Sequence, residues 1–158
     1  MNTEEFMILN ITIYRKSIKK TLEYKYKKRD IGERPMALDV LLQAQATQLD
    51  DLAFRYGCRA RNCGVCTIDV NDKPRLACRA RVKEGDTLSP IATLPVVKDF
   101  IVKRDGISRQ MVGYNNITHK NDLNVNAEGS YHNLTACIEC YACLDGCPLH
   151  KKNDLDVK

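Results

Sequence analysis

The stretch Gly57-Cys58-Arg59-Ala60-Arg61-Asn62-Cys63-Gly64-Val65-Cys66-Thr67-Ile68-Asp69-Val70, with Arg75-Leu76-Ala77-Cys78 a few residues on, decides the fold. Two intervals, x4 then x2, separate its first three cysteines, and the fourth follows a short pair of strand-like runs. This is the spacing in which a loop wraps three thiolates around a small iron–sulfur cluster while a following hairpin presents the fourth, the ligand pattern of a plant-type [2Fe-2S] centre. Soft anionic sulfur suits iron, and Gly57 and Gly64 are expected to let the loop turn tightly and aim amide N–H groups at sulfur. A structural zinc site is the alternative for four cysteines, but zinc sites usually come as paired Cys-x2-Cys knuckles. Arg59, Arg61, Arg79 and Arg81 flank the ligands; they read either as ordinary surface charge or as cations that stabilise a reduced centre.

Upstream, Met7-Ile8-Leu9-Asn10-Ile11-Thr12-Ile13-Tyr14 and Thr21-Leu22-Glu23-Tyr24-Lys25-Tyr26-Lys27 are β-branched or aromatic with part-alternating polarity, and together predict an antiparallel hairpin. Pro35 suits a first helical position, and Met36, Leu38, Leu41, Leu42 and Leu49 space an apolar face over about three turns, so a helix is expected over 36–48. Thr67-Ile68-Asp69-Val70, a turn at Asn71-Asp72-Lys73-Pro74 and Arg75-Leu76-Ala77-Cys78 predict a second hairpin. Val82, Thr87-Leu88 and the apolar run 94–102 supply strands to close a sheet on the one helix. The order strand, strand, helix, loop, strands predicts a small α+β domain over 1–104.

From 105 to 133 the sequence turns to Gly, Asn and His without a period, and reads as a connector. His119, His132 and His150 lie in or beside such sequence and read as solvated rather than metal-binding. Residues 134–158 form a short, mainly helical or irregular segment carrying Cys137-x2-Cys140-x2-Cys143-x3-Cys147-Pro148. That is the bacterial ferredoxin run, three of whose cysteines grip a [4Fe-4S] cube while the fourth, in two-cluster ferredoxins, ligates the other cluster. No later run follows here. The fourth ligand of the cube is therefore open between a partner subunit, Cys147 folding back, and a labile, [3Fe-4S] or zinc form.

The 158-residue chain has 25 Lys and Arg against 20 Asp and Glu, a formal net charge of +5. Eight thiolates around two clusters of core charge about +2 each would remove most of that excess, which weakens a nucleic-acid reading. The run Lys25-Tyr26-Lys27-Lys28-Arg29 alternates like a strand and reads as a solvated face, or else as a docking surface for an acidic partner. No apolar run approaches the roughly 18 residues of a membrane span, and the start lacks a leader pattern, so a cytoplasmic location is expected, with any membrane association coming through a partner. In that setting cysteines bind metal rather than form disulfides, and the Asn-x-Thr triplets at Asn10, Asn116 and Asn133 are coincidental.

Leu52-Ala53-Phe54-Arg55-Tyr56-Gly57-Cys58-Arg59, the cysteine loop, Leu76-Ala77-Cys78-Arg79 and Leu94-Pro95-Val96-Val97-Lys98-Asp99 resemble the iron–sulfur subunit of succinate dehydrogenases and fumarate reductases over roughly residues 6–104. Cys58-Arg59-Ala60 and Cys78-Arg79-Ala80 are most similar to the thiol:fumarate reductases of methanogenic archaea. The resemblance implies a β-grasp, ferredoxin-like domain whose [2Fe-2S] cluster faces a flavoprotein, within a hetero-oligomeric complex in which the flavoprotein acts on fumarate or succinate. It implies no catalytic residue in this chain. The family's further cysteine run is missing from this sequence, so its third cluster and quinone chemistry are not carried over. An adaptor ferredoxin serving another anaerobic complex, such as a heterodisulfide reductase, is the alternative reading.

Overall fold

A computed structural model describes residues 5–15, 17–104, 136–145 and 147. The expected connector, the three histidines, Pro148 and the C-terminal tail lie outside the described residues.

β1 (Phe6–Arg15) and β2 (Ile18–Lys27) form the expected hairpin, in register from Phe6 opposite Lys27 to Arg15 opposite Ile18. Ser17, at φ 67, takes the left-handed geometry that so tight a reversal requires. Along β1, Met7, Leu9 and Ile11 point inward while Phe6 and Ile8 stay exposed, the period of two that seats one face of a sheet on a core. In the basic run of β2, Tyr24 and Tyr26 are buried and Lys25 and Lys27 are exposed. The alternation places apolar rings inside and ammonium groups in water, as expected of a solvated face.

α1 (Ala37–Thr47) buries Ala37, Leu38, Val40, Leu41 and Ala44 against the sheet. It starts one residue later than expected: Met36 is the N-cap and Pro35 stands outside the helix. The Pro35 carbonyl is used instead to accept the Val82 N–H at 3.0 Å. The Asp39 carboxylate accepts the Met36 N–H, which satisfies one of the donors left over at a helix start. Gln43 ties the helix to β2, its amide oxygen accepting the Lys27 N–H and its amide nitrogen donating to the Lys27 carbonyl, each at 2.8 Å.

β3 (Thr67–Val70) and β4 (Lys73–Leu76) are the second hairpin. Its turn is shorter than expected, only Asn71 and Asp72, both at positive φ (51 and 59), and Pro74 sits within β4. Pro74 is tolerated because β4 is an edge strand, where one face of the backbone needs no ladder partner. β5 (Thr87–Ser89) then runs parallel to β1 and antiparallel to β3, giving the five-stranded order β2-β1-β5-β3-β4. A mixed sheet with one helix clasped on its face is the β-grasp arrangement. The run 94–102 does not close this sheet: it folds on itself as β6 (Val96–Lys98) and β7 (Ile101–Val102), a separate two-stranded ribbon.

Asp99, in the turn between β6 and β7, fastens that ribbon to the rest. It is fully buried and accepts the Tyr14 N–H (3.2 Å), the Arg15 Nε–H (2.7 Å) and the Ala53 N–H (3.0 Å). Arg15 is also paired with Asp51, and both carboxylates hold its guanidinium above its ordinary range, the Asp51 hydrogen bond contributing most. The strand end of β1 and the chain entering the cysteine loop therefore meet at one carboxylate.

Candidate metal centre

The first cysteine loop leaves the core after buried Leu52 and returns to it at buried Cys66. Between them the backbone reverses through positive φ at Arg59 (54), Arg61 (64) and Gly64 (65). These left-handed residues turn successive N–H groups inward, and the Cys58 sulfur accepts those of Ala60 (3.3 Å) and Asn62 (3.2 Å). Such donors stabilise charge on the sulfur more than on the thiol. They lower the Cys58 pKa to about 7, with the Ala60 N–H the largest cause. Gly57, expected to serve the turn, does not take positive φ, and a Cβ there would stand at ordinary van der Waals distance, 3.4 Å, from the Cys63 sulfur.

The four thiols fall into two neighbouring pairs. The Cys63 side chain neighbours Cys58, and the Cys78 side chain neighbours Cys66. Cys78 sits just after β4, where the Ala77 N–H reaches the Cys66 carbonyl at 2.9 Å and the Leu38 N–H reaches the Ala77 carbonyl at 3.0 Å. Burial is the main reason the Cys66 thiol is pushed up to about 11. Two pairs, one of exposed Cys58 and half-buried Cys63 and one buried beside the core, suit a group with two metal atoms that each take two thiolates. Among the described residues, no three His, Cys, Asp or Glu side chains close on a single ion.

This asymmetry sets an expected result for the iron-free chain. Alkylation at pH 7.5 should modify Cys58 first, with a rate that levels off above about pH 7, and Cys66 last. Peptide mapping by mass spectrometry reads each site. Equal rates at the two positions would show that the loop amides do not reach the Cys58 sulfur in solution.

The second cysteine segment packs directly on the first loop. Cys137 and Cys143 are exposed and Cys140 and Cys147 half-buried, around the short helix α2 (Ala142–Asp145), which lies against β4. Tyr141 anchors it, buried in a small cluster with Ile91, Leu94 and Val102. The Cys147 N–H donates to the Leu144 carbonyl at 3.2 Å, closing the turn after α2. Gly64 is a point of close approach: a Cβ there would lie 1.9 Å from the Ile138 carbonyl oxygen. Arg104 joins the two segments, its Nη1 and Nη2 donating to the Gly64 and Val65 carbonyls (3.2 and 3.0 Å) while its guanidinium lies 5.4 Å from the centre of the Tyr141 ring. Sequence reasoning misses Arg104, which ends an unremarkable Val102-Lys103-Arg104. A cleft of about 520 Å³ between the segments is lined by Cys63, Cys137, Arg104 and Tyr141 among others.

A β-grasp sheet with thiol pairs on an amide-rich loop defines a ferredoxin-type metal-binding protein. The chain belongs to the family described as the 2Fe-2S iron–sulfur cluster binding domain, matched over residues 9–109. It is 34% identical over 126 residues to one of the subunits of the fumarate reductase (CoM/CoB) of Methanothermobacter marburgensis, covering 77% of this chain and 26% of that protein. It is 29% identical over 124 residues to the fumarate reductase iron–sulfur subunit of Escherichia coli, covering 70% of this chain and 50% of the relative. The chain thus spans between a quarter and a half of the length of these relatives. A structure of the Mycobacterium smegmatis Sdh1 complex contains a chain that superposes with a TM-score of 0.80, over 98% of this chain and 69% of that one, at 24% identity, which shows a shared fold. These likenesses bear out the resemblance to fumarate reductase and succinate dehydrogenase iron–sulfur subunits. Among the described residues no helix is long and apolar enough to cross a membrane.

Proposed function

We propose that this chain is an electron-transfer subunit of a fumarate reductase- or succinate dehydrogenase-like complex, relaying single electrons between a flavoprotein and another redox partner. In this reading Cys58, Cys63, Cys66 and Cys78 hold the [2Fe-2S] cluster. Cys137, Cys140 and Cys143 hold a [4Fe-4S] cluster, with Cys147 or a partner's residue as its fourth ligand. When bound, the clusters supply one-electron redox chemistry.

The observation that carries the reading is the contact between the two cysteine segments at Gly64 and Ile138, bridged by Arg104. A relay needs its centres close and fixed, and the chain's own residues supply that. The Ala60 and Asn62 amides support negative charge on the Cys58 sulfur, and Thr67 steadies the loop by donating to the Gly64 carbonyl at 3.0 Å. Burial of Cys66 and Cys78 shields one pair of thiolates from water, and the exposure of Cys58 leaves the other open to a docking protein.

The test is anaerobic loading of the chain with iron and sulfide. The expected product holds acid-labile sulfide, gives a rhombic EPR signal on reduction, and loses that signal in Cys58→Ser or Cys78→Ser. It should turn over neither fumarate nor succinate alone. Stoichiometric zinc without acid-labile sulfide would sink the assignment, as would substrate turnover by the isolated chain.

A further inference from the structure

A second concave feature, sharing no lining residue with the cleft between the cysteine segments, lies elsewhere on the surface. It has a volume of about 750 Å³ and is walled by three stretches: Arg34 before α1, the β3–β4 hairpin, and the chain from Arg79 to Asp86. Six cations line it: Arg34, Lys73, Arg75, Arg79, Arg81 and Lys83. All six are exposed. The only carboxylate lining it, Asp86, is buried and already engaged, accepting the Asn71 Nδ2–H and the Lys83 N–H, each at 2.9 Å. Among the described residues none of the six cations is paired with a carboxylate, although elsewhere Arg15, Lys28, Arg29, Arg59 and Lys98 all are. The local excess of five positive charges equals the formal net charge of the entire chain.

The walls are tied to the rest of the domain by hydrogen bonds. Ala80 accepts the Ala37 N–H at 2.8 Å, Met36 bridges Arg81, and Asn71 is bonded to β5 through both its N–H and its side-chain oxygen, which accepts the Thr87 N–H at 2.8 Å. A set of like charges held together on this frame carries a standing electrostatic cost, which an anionic partner relieves on docking. The cations come from three segments around a trough of about 750 Å³, more charge than one small anion neutralises, and so match a run of carboxylates. No aromatic side chain lines the trough to stack a base. Arg79 is the residue directly after Cys78.

We propose that this trough is the docking site for an acidic segment of a partner protein, a run of Asp and Glu laid across Arg34, Arg75, Arg79 and Lys83. The redox role of that partner rests on the electron-carrier reading above. Docking there brings its surface beside the first cysteine group, and the charge complementarity sets both orientation and association rate.

The experiment uses the full chain loaded with iron and sulfide and a fluorescein-labelled oligoglutamate peptide, read by anisotropy. Wild-type protein should bind the peptide, and more weakly as salt rises toward roughly 0.15 M and shortens the screening length. Arg75→Glu/Arg79→Glu/Lys83→Glu should weaken binding by about tenfold or more. Arg75→Gln/Arg79→Gln should weaken it less, and keeps the test readable if charge reversal lowers cluster loading. Lys19→Glu/Lys20→Glu/Lys25→Glu, at three exposed positions of β2, should leave it near wild type. Equal losses in the two triple variants would overturn the docking site. So would tighter binding of an oligothymidylate of matched charge, or displacement of the peptide by inorganic phosphate alone. Such a result with the visible spectrum and sulfide content intact removes the docking site only. Absence of acid-labile sulfide instead removes the electron-carrier reading, and with it the redox role of the partner.

Discussion

Asp99→Ala is expected to cost about 2–4 kcal/mol of stability, from roughly 1–3 kcal/mol for each backbone donor left without its acceptor. Asp99 is fully buried, and its carboxylate is the common acceptor for Tyr14 N–H, Arg15 Nε–H and Ala53 N–H. Without it, two part-buried backbone donors lose their acceptor and the Arg15 guanidinium keeps only Asp51, which is half-exposed and a weaker anchor. Asp99 also sits at φ 47, where alanine is strained and asparagine is tolerated. Asp99→Asn should therefore fall between wild type and alanine, keeping an oxygen but losing the charge. The urea midpoint of the loaded chain, followed by visible absorption and far-UV circular dichroism together, reads the series. The damage should appear first at the cluster, because Ala53 leads into the loop that carries Cys58. A loss under about 1 kcal/mol for the alanine variant would show that water reaches these donors in solution.

Gly64→Ala is expected to dislodge the second cysteine segment while leaving the sheet folded. A Cβ at Gly64 would stand 1.9 Å from the Ile138 carbonyl oxygen and 3.1 Å from the Cys140 nitrogen, both backbone atoms that no rotamer change can move aside. Its φ of 65 adds a left-handed strain of about 1–2 kcal/mol. Gly32 separates the two effects: it has a similar φ of 74, but its Cβ would meet nothing within 4 Å. Gly32→Ala should thus show the strain alone. Hydrogen exchange over 136–147 should rise sharply in Gly64→Ala and stay at the wild-type level in Gly32→Ala, and any cluster held by Cys137, Cys140 and Cys143 should be lost more readily. If the two glycine variants behave alike, the Gly64–Ile138 approach does not exist in solution.

Much of the fold is legible along the chain because it is local. The β1–β2 hairpin and α1 announce themselves by periodicity, since burial on one face imposes a period of two or of 3.6 on the residues themselves. The cysteine intervals are legible for a related reason: a loop that must bring sulfurs close together can do so only at short, fixed separations. Sequence and structure part where a residue's setting depends on distant chain. Pro74 reads as a turn residue, and only the position of β4 at the sheet edge makes it acceptable within a strand. The run 94–102 has the composition of a sheet strand, yet its pairing with itself was decided by Asp99 being drawn under Tyr14, Arg15 and Ala53.

Spacing along the chain already sets out the cysteine pattern: eight cysteines in two groups, four at plant-type intervals and four in a ferredoxin-like run, on a chain whose apolar pattern makes one small α+β core. Tertiary structure alone decided how these parts meet. Glycine at 64 is required by a carbonyl more than seventy positions away, Arg104 is placed to bridge both segments, and six cations from three stretches become one trough. None of these has a local signature, because each arises from atoms brought together only when the sheet closes over α1, and the energy of such contacts depends on separation in space rather than along the chain.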